Sequence, residues 1–262
     1  MVRRRPRHFL AKGFVAIVLL YLYLPVVITV LFSFATSPRL SLPIKGLTFD
    51  WYASALANPL ITVALQNSLI LAVVSAVAAG TIGAAFAFGV VKVKRPGARR
   101  ALLTASLLPA IVPLLVIGIS LAVFFRSLGS PQGLVNAAIG HVLVSLPFVV
   151  LTMNARLETF DFSVLDAARD LGASPLRTFL DVTFPLIRPS IVGAALLAAA
   201  LSLDEFVVTW FNVGNQPTVP VLVWGLMRRG VDPSINALAS LLLFSLVCLA
   251  VAANRLGRKR AR

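Results

Sequence analysis

The run AVVSAVAAGTIGAAFAFG, Ala72–Gly89, contains neither a charged side chain nor a proline. It sits inside an apolar segment, 67–91, that exceeds the about 20 residues a helix needs to cross roughly 30 Å of hydrocarbon. Small residues let helix backbones approach closely in lipid, where tight packing helps drive association. A second run of this kind, GAALLAAALS, occupies Gly193–Ser202. The composition suits any buried helix, so it indicates a packed bundle and not yet a function.

Five further apolar segments of spanning length lie at 14–34, 101–125, 134–157, 189–211 and 236–254. Charged residues make up 13% of the chain, hydrophobic ones 59%, and the mean hydropathy is +0.94; soluble domains carry about a quarter charged residues. The expected architecture is therefore all-α, an integral membrane bundle of six transmembrane helices. Pro25, Pro109, Pro113 and Pro147 lie inside spans and remove backbone hydrogen bonds, which predicts kinks.

The net charge of +15 raises the question of nucleic acid, since basic patches attract phosphate. Its distribution answers otherwise. Of the 24 lysines and arginines, all but Arg39, Lys45, Arg126, Arg228 and Arg229 fall on one side of the six-span arrangement. Positive loops stay in the cytoplasm, so both termini are expected there. The basic charge is an orientation signal, and nucleic acid is not an expected partner. The apolar run after MVRRRPRHFL is too long for the core of a signal peptide and reads as a retained first span. The single cysteine, Cys248, permits no intramolecular disulfide.

Two outer loops are long. Ser37–Pro59 is too polar to cross, and Trp51 and Tyr52 suit a membrane interface, so a short surface helix is expected there. Gly214–Ser234 is mildly apolar but too broken for a seventh span; whether it re-enters the membrane stays open.

Catalytic patterns are missing. His8 and His141 are far apart, and neither has a second ligand at metal spacing. No G-x-S-x-G, H-E-x-x-H or Walker A pattern occurs. A protein like this that moves solute uphill must draw on an ion gradient or on another polypeptide. It is not expected to be an enzyme.

One polar passage interrupts the oily chain: DAARDLGASPLRTFLDVTFP, Asp166–Pro185. By the charge argument it is cytoplasmic. FSVLDAARDLG reads as a short helix with Leu165, Ala168 and Leu171 on one side, ended by Gly172 as a C-terminal cap. Ser174 then serves as N-cap and Pro175 as first residue of a second helix. Phe184-Pro185 and Arg188-Pro189 are expected to break that helix before the fifth span. Two short helices at an angle would project below the bundle, either to fit a partner's groove or as a solvated loop.

The passage resembles the EAA loop of ABC-transporter permeases of the binding-protein-dependent import type, E-A-A-x-x-x-G followed nine residues later by I-x-L-P. Asp166-Ala167-Ala168, Gly172 and Val182-Thr183-Phe184-Pro185 match its spacing, with Asp for Glu, Val for Ile and Phe for Leu. The resemblance implies a coupling helix that docks on a cytoplasmic ATPase through Asp166, Ala167, Ala168, Leu171, Gly172, Ser174, Pro175 and Pro185. It implies a permease domain over 61–255, preceded by a segment, 1–60, with the first span and outer loop, and followed by a basic tail, 256–262. The implied partners are a second permease, two ATPase subunits that hold ATP and magnesium, and an outer-surface solute-binding protein. This chain would need no cofactor of its own, and its location would be a bacterial inner membrane. The rival from another class is a gradient-driven transporter or channel that needs no ATPase.

LPFVVLTMNARLETFDFSVLDAARDLGAS, SLDEFVVTWF and VDPSINALASLLL are similar to the second permease of spermidine/putrescine importers. Ala110 departs from that branch, which usually carries an acid there. Asp204 and Glu205 are the only adjacent acids within a span, and carboxylates at membrane depth should face a cavity or a partner. They serve either a cationic solute or the helix end itself. Neighbours on a helix point about 100° apart, so one is expected to face the path, Asp204 by preference. Trp210 and Phe206 would supply cation–π contacts or packing.

Overall fold

The computed structural model describes residues 6–37, 43–228 and 233–258. The basic clusters at the two ends, on which the expected placement of the termini rests, lie largely outside these residues. Among the described residues no strand forms; Ala35 and Leu47 make one isolated antiparallel bridge. The all-α expectation holds.

The helices are α1 Pro6–Phe32, α2 Asp50–Ala57, α3 Pro59–Val91, α4 Pro96–Ile111, α5 Leu114–Ser127, α6 Leu134–Glu158 and α7 Ser163–Asp170. A short turn, α8 Pro175–Arg177, leads through a π-helical segment, Thr178–Thr183, into α9 Phe184–Asp204. Then come α10 Val207–Asn212, α11 Val219–Met227 and α12 Pro233–Arg258. Among the described residues four helical stretches are long and apolar enough to cross a membrane: those of α1, α3, α6 and Pro175–Asp204. The α4–α5 pair would make a fifth. The expected sixth span, 236–254, falls within α12, whose stretch Pro233–Phe244 is apolar.

The chain forms two compact units, one of residues 1–59 and 223–262, the other of residues 60–222. In the first, α12 packs on α1 and α2. The outer loop is pinned to the end of α1: Trp51 Nε1 donates to the Ala35 carbonyl (2.8 Å), and Ser33 Oγ lies 2.6 Å from Tyr52 Oη. Phe34, Phe49 and Tyr52 cluster their rings beside these bonds. The surface helix expected around Trp51 is α2. From Phe14 to Leu24 the large apolar side chains of α1 are exposed. In water such a patch would drive association, whereas lipid solvates it.

In the second unit α6 packs chiefly on α9. Val149, Met153, Leu157, Ile187, Ala194 and Ala198 form the buried centre, with Ala79, Ala84 and Ala87 of α3. Glycine lets α3 and α10 approach α6 closely. A Cβ on Gly83 would stand 2.5 Å from Val149 Cγ1, and one on Gly140 would stand 2.5 Å from Val208 Cγ1. Gly140→Leu is therefore expected to force α6 away from α10 and to cost about 1–3 kcal/mol, the usual range for overpacking. The thermal midpoint in detergent reads this. Gly89→Leu, where an added Cβ meets nothing within 4 Å, is expected to leave the midpoint unchanged.

Two expected spans are not continuous. The third, 101–125, bends by 92° between α4 and α5. Pro113 disfavours the helical conformation for the residue before it, and Val112 is accordingly extended at φ −71°, ψ 132°. Pro109 stays inside α4. The fifth, 189–211, ends as a helix at Asp204; Glu205 is extended at φ −72°, ψ 109°, and α10 restarts at Val207.

The expected break at Phe184-Pro185 and Arg188-Pro189 does not occur. Thr178–Thr183 widens to π geometry, with Thr183 Oγ1 donating to the Thr178 carbonyl five residues back (3.2 Å). The π segment just before Pro185 accommodates the proline ring, so its missing N–H leaves one carbonyl bond unmade without ending the helix. Pro189 then removes a single interior bond. The second helix of the polar passage thus runs on into the fifth span.

Candidate functional site

A side-chain turn precedes the polar passage. Ser163 donates through Oγ–H and N–H to Asp161 Oδ1 (2.7 and 3.0 Å). These bonds, the side-chain one foremost, hold the Asp161 carboxyl below its usual pKa. Leu165 is buried against the centre formed by α6 and α9, and Phe160 and Phe162 pack edge to face beside it at 5.0 Å. That apolar foot fixes α7 to the bundle.

The rest of α7 faces outward. Asp166, Ala167 and Arg169 are exposed, and Arg169 Nη1 donates to Asp166 Oδ1 at 3.3 Å. Leu171 is 89% exposed and does not share the buried side of Leu165, because α7 ends at Asp170 and Leu171 already caps it. The end is a Schellman motif: Ala173 N–H donates to the Ala168 carbonyl (3.1 Å), and Gly172 N–H to that of Arg169 (2.8 Å). Gly172 sits at φ +83°, a region that favours glycine. Ser174 Oγ then accepts from Arg177 N–H (3.4 Å), and Pro175 opens the next turn. Leu176 beyond it is 68% exposed. Two bare leucines thus flank a fixed turn.

The second group lies at the break in the fifth span. Asp204 is exposed. Glu205 is buried, and its Oε1 accepts from Val208 N–H at 2.8 Å, which caps the restarted helix. The acid pair therefore divides by role. The rings of Phe206 and Trp210 meet at a tilt with centroids 5.8 Å apart, and Trp210 is 44% exposed.

Around this break runs a buried polar network, which patterns of catalytic spacing could not detect. His141 of α6 places Nδ1 2.6 Å from Ser202 Oγ and Nε2 2.6 Å from Thr209 Oγ1. Thr209 Oγ1 donates to the Glu205 carbonyl (2.8 Å). Asn212 Nδ2 donates to the carbonyls of Gly118 and Val208 (3.0 and 2.9 Å), which joins α10 to α5. At the network's exposed edge, Gly133 N–H donates to the Asn212 carbonyl, and Gln132 Nε2 to that of Phe211 (2.9 and 2.8 Å). The signal was present as polar residues inside apolar segments, which must find partners there. Among the described residues no cluster of His, Cys, Asp or Glu could hold a metal.

Helices of membrane-spanning length, two broken spans and an outward-facing polar loop frame the question of function. Comparison with known proteins answers it. Residues 79–260 match the family described as the binding-protein-dependent transport system inner membrane component. The chain belongs to this family. It is 32% identical over 255 residues to the spermidine/putrescine transport system permease protein PotC of Escherichia coli strain K12, covering 97% of this chain and 96% of that one. It is 34% identical over 230 residues to the putrescine transport system permease protein PotI of the same strain, covering 85% and 82%.

Among solved structures, a bacterial alginate ABC transporter in complex with its pentasaccharide-bound periplasmic protein superposes with a TM-score of 0.74. That match is 15% identical and covers 99% of this chain and 96% of the other. The MetNI methionine ABC transporter gives 0.62 at 18% identity, covering 76% and 95%. These likenesses concern the fold. The protein is the membrane-spanning permease subunit of an ATP-driven ABC importer, and family membership favours that class over a gradient-driven carrier.

Proposed function

We propose that this permease carries a polyamine, putrescine or spermidine, or a related cationic nitrogenous solute across a bacterial inner membrane. It would act with a second permease, two cytoplasmic ATPases and an outer solute-binding protein. The observation that carries this reading is the similarity along nearly the whole chain to PotC. Asp204 supports it, since an exposed carboxylate at the break of an apolar helix attracts an ammonium group and repels an anion. Both termini and the polar passage face the cytoplasm in this arrangement, and ATP and magnesium bind the partner ATPases.

The mechanism follows from how α7 is held. Its exposed side, with Asp166, Ala167, Leu171 and the Ser174-Pro175 turn, docks on an ATPase. Leu165 and Phe160 anchor the other side among α6 and α9 residues. A displacement of α7 when the ATPases close on nucleotide is thus passed into α6 and α9, the two helices packed at the bundle's centre. The π segment joins the docked turn to α9 without a loop, so the fifth span moves with it. Its outer end carries Asp204, where the solute would pass.

Proteoliposomes containing the full assembly test the reading. ATP-driven uptake of labelled putrescine or spermidine that requires the loaded binding protein is the expected result. Uptake of an anion instead, or flux through the chain alone without ATP, would defeat it.

A further inference from the structure

His141 is fully buried in α6 and reaches both sides of the break in the fifth span. The direction of its hydrogen bonds can be read from the donors available. Thr209 commits its only hydroxyl proton to the Glu205 carbonyl, so His141 Nε2 must be the donor to Thr209 Oγ1. Ser202 then donates to Nδ1, provided the imidazole is neutral. A directed chain results: Ser202 hydroxyl to His141, His141 to Thr209, Thr209 to Glu205. Glu205 in turn takes the Val208 N–H on its carboxylate.

Ser202 and Thr209 are seven residues apart, about 10.5 Å along an unbroken helix. Two 2.6 Å bonds and the width of one imidazole ring span only about 7 Å. Rotamer choice cannot freely close the gap, because the Thr209 hydroxyl is already turned to the Glu205 carbonyl. One ring reaches both hydroxyls because the helix stops at Asp204 and restarts at Val207. The bridge therefore selects the broken form, and a straight fifth span would have to release an arm.

We propose that His141 is a positioning residue of the solute path: by bridging Ser202 and Thr209 it holds the fifth span broken and so sets where Asp204 stands. Asp204 is the last residue of α9, next to the break, and is exposed, while the residues on the bridged side, Ser202, Glu205 and Thr209, are all buried. The charged groups nearest in sequence to the bridge are these two acids alone; the imidazole itself is held by hydroxyls. The proposal rests on the permease reading but not on the identity of the solute.

The test is made in the assembled transporter with Cys248→Ser, which removes the single cysteine. Asp204→Cys is introduced, and its reaction with a membrane-impermeant thiol reagent is timed with and without His141→Leu. Ala194→Cys, at a site fully buried in the α6–α9 packing, serves as the control. The expected result is a change of about fivefold or more in the rate at position 204, with position 194 unreactive in both backgrounds. His141→Gln keeps an N–H directed at Thr209 and is expected to return the rate to within about twofold. An unchanged rate at 204 overturns the proposal, as does new reactivity at 194, which would mean general loosening. Failure of the wild-type assembly to take up putrescine would defeat the polyamine reading and leave this comparison standing.

Discussion

Gly172→Val is expected to abolish most solute uptake while the permease still inserts and pairs. Gly172 holds φ +83°, and a non-glycine residue there costs about 1–3 kcal/mol, with the β-branched valine at the upper end. At about 1.4 kcal/mol per factor of ten, the docking-ready turn is depopulated roughly five- to hundredfold. Nothing lies within 4 Å of an added Cβ, so the effect is conformational and not a clash. Gly172→Ala should therefore lose less than Gly172→Val, although both side chains meet open space. Leu165→Ala would loosen the anchored foot of α7, a different fault that lowers thermal stability as well. Co-purification of the ATPase and ATP-dependent uptake are the measurements. Normal values for both in Gly172→Val would make the passage a linker only.

This turn was legible because the physics is local. A glycine one residue past the cap of an apolar-sided helix, then Ser-Pro, admits few conformations, and the Schellman bonds of Gly172 and Ala173 satisfy that pattern. Four of the six expected spans, and a bent fifth, were legible because lipid crossing demands long apolar runs. What failed depended on distant partners. Pro109 and Pro113 carry the same local signal, yet only Pro113 stands at a break, where α5 is held to α10 by the Asn212 bond to the Gly118 carbonyl. The stop at Asp204 follows from the Glu205 cap and from His141, whose partners lie 61 and 68 residues away. Two prolines near Phe184 suggested a break that the π segment absorbs. Leu171 fits the helical periodicity of Leu165 and Ala168, but the helix ends one residue before it.

The division of the acid pair sets the second large effect. Asp204→Asn should lower the rate of cationic solute uptake about tenfold, because a carboxylate's hydrogen bond to an ammonium group is worth roughly 1.5–3 kcal/mol and an amide's about half that. Folding should be little affected, since Asp204 is exposed and ends α9 without a bond to the buried network. Glu205 should behave in the opposite way. Glu205→Gln retains an oxygen that accepts the Val208 N–H and is expected to stay within about twofold of wild type. Glu205→Ala deletes the cap and should cost about 0.5–2 kcal/mol of stability, read as a lower thermal midpoint. The two residues are adjacent in sequence, so a general effect of negative charge would move both amide variants alike. Uptake of putrescine at saturating binding protein separates the outcomes. Equal transport by Asp204→Asn and wild type would place Asp204 outside the path. Loss in Glu205→Gln matching that in Asp204→Asn would mean that the buried carboxylate's charge, and not its capping oxygen, is what transport requires.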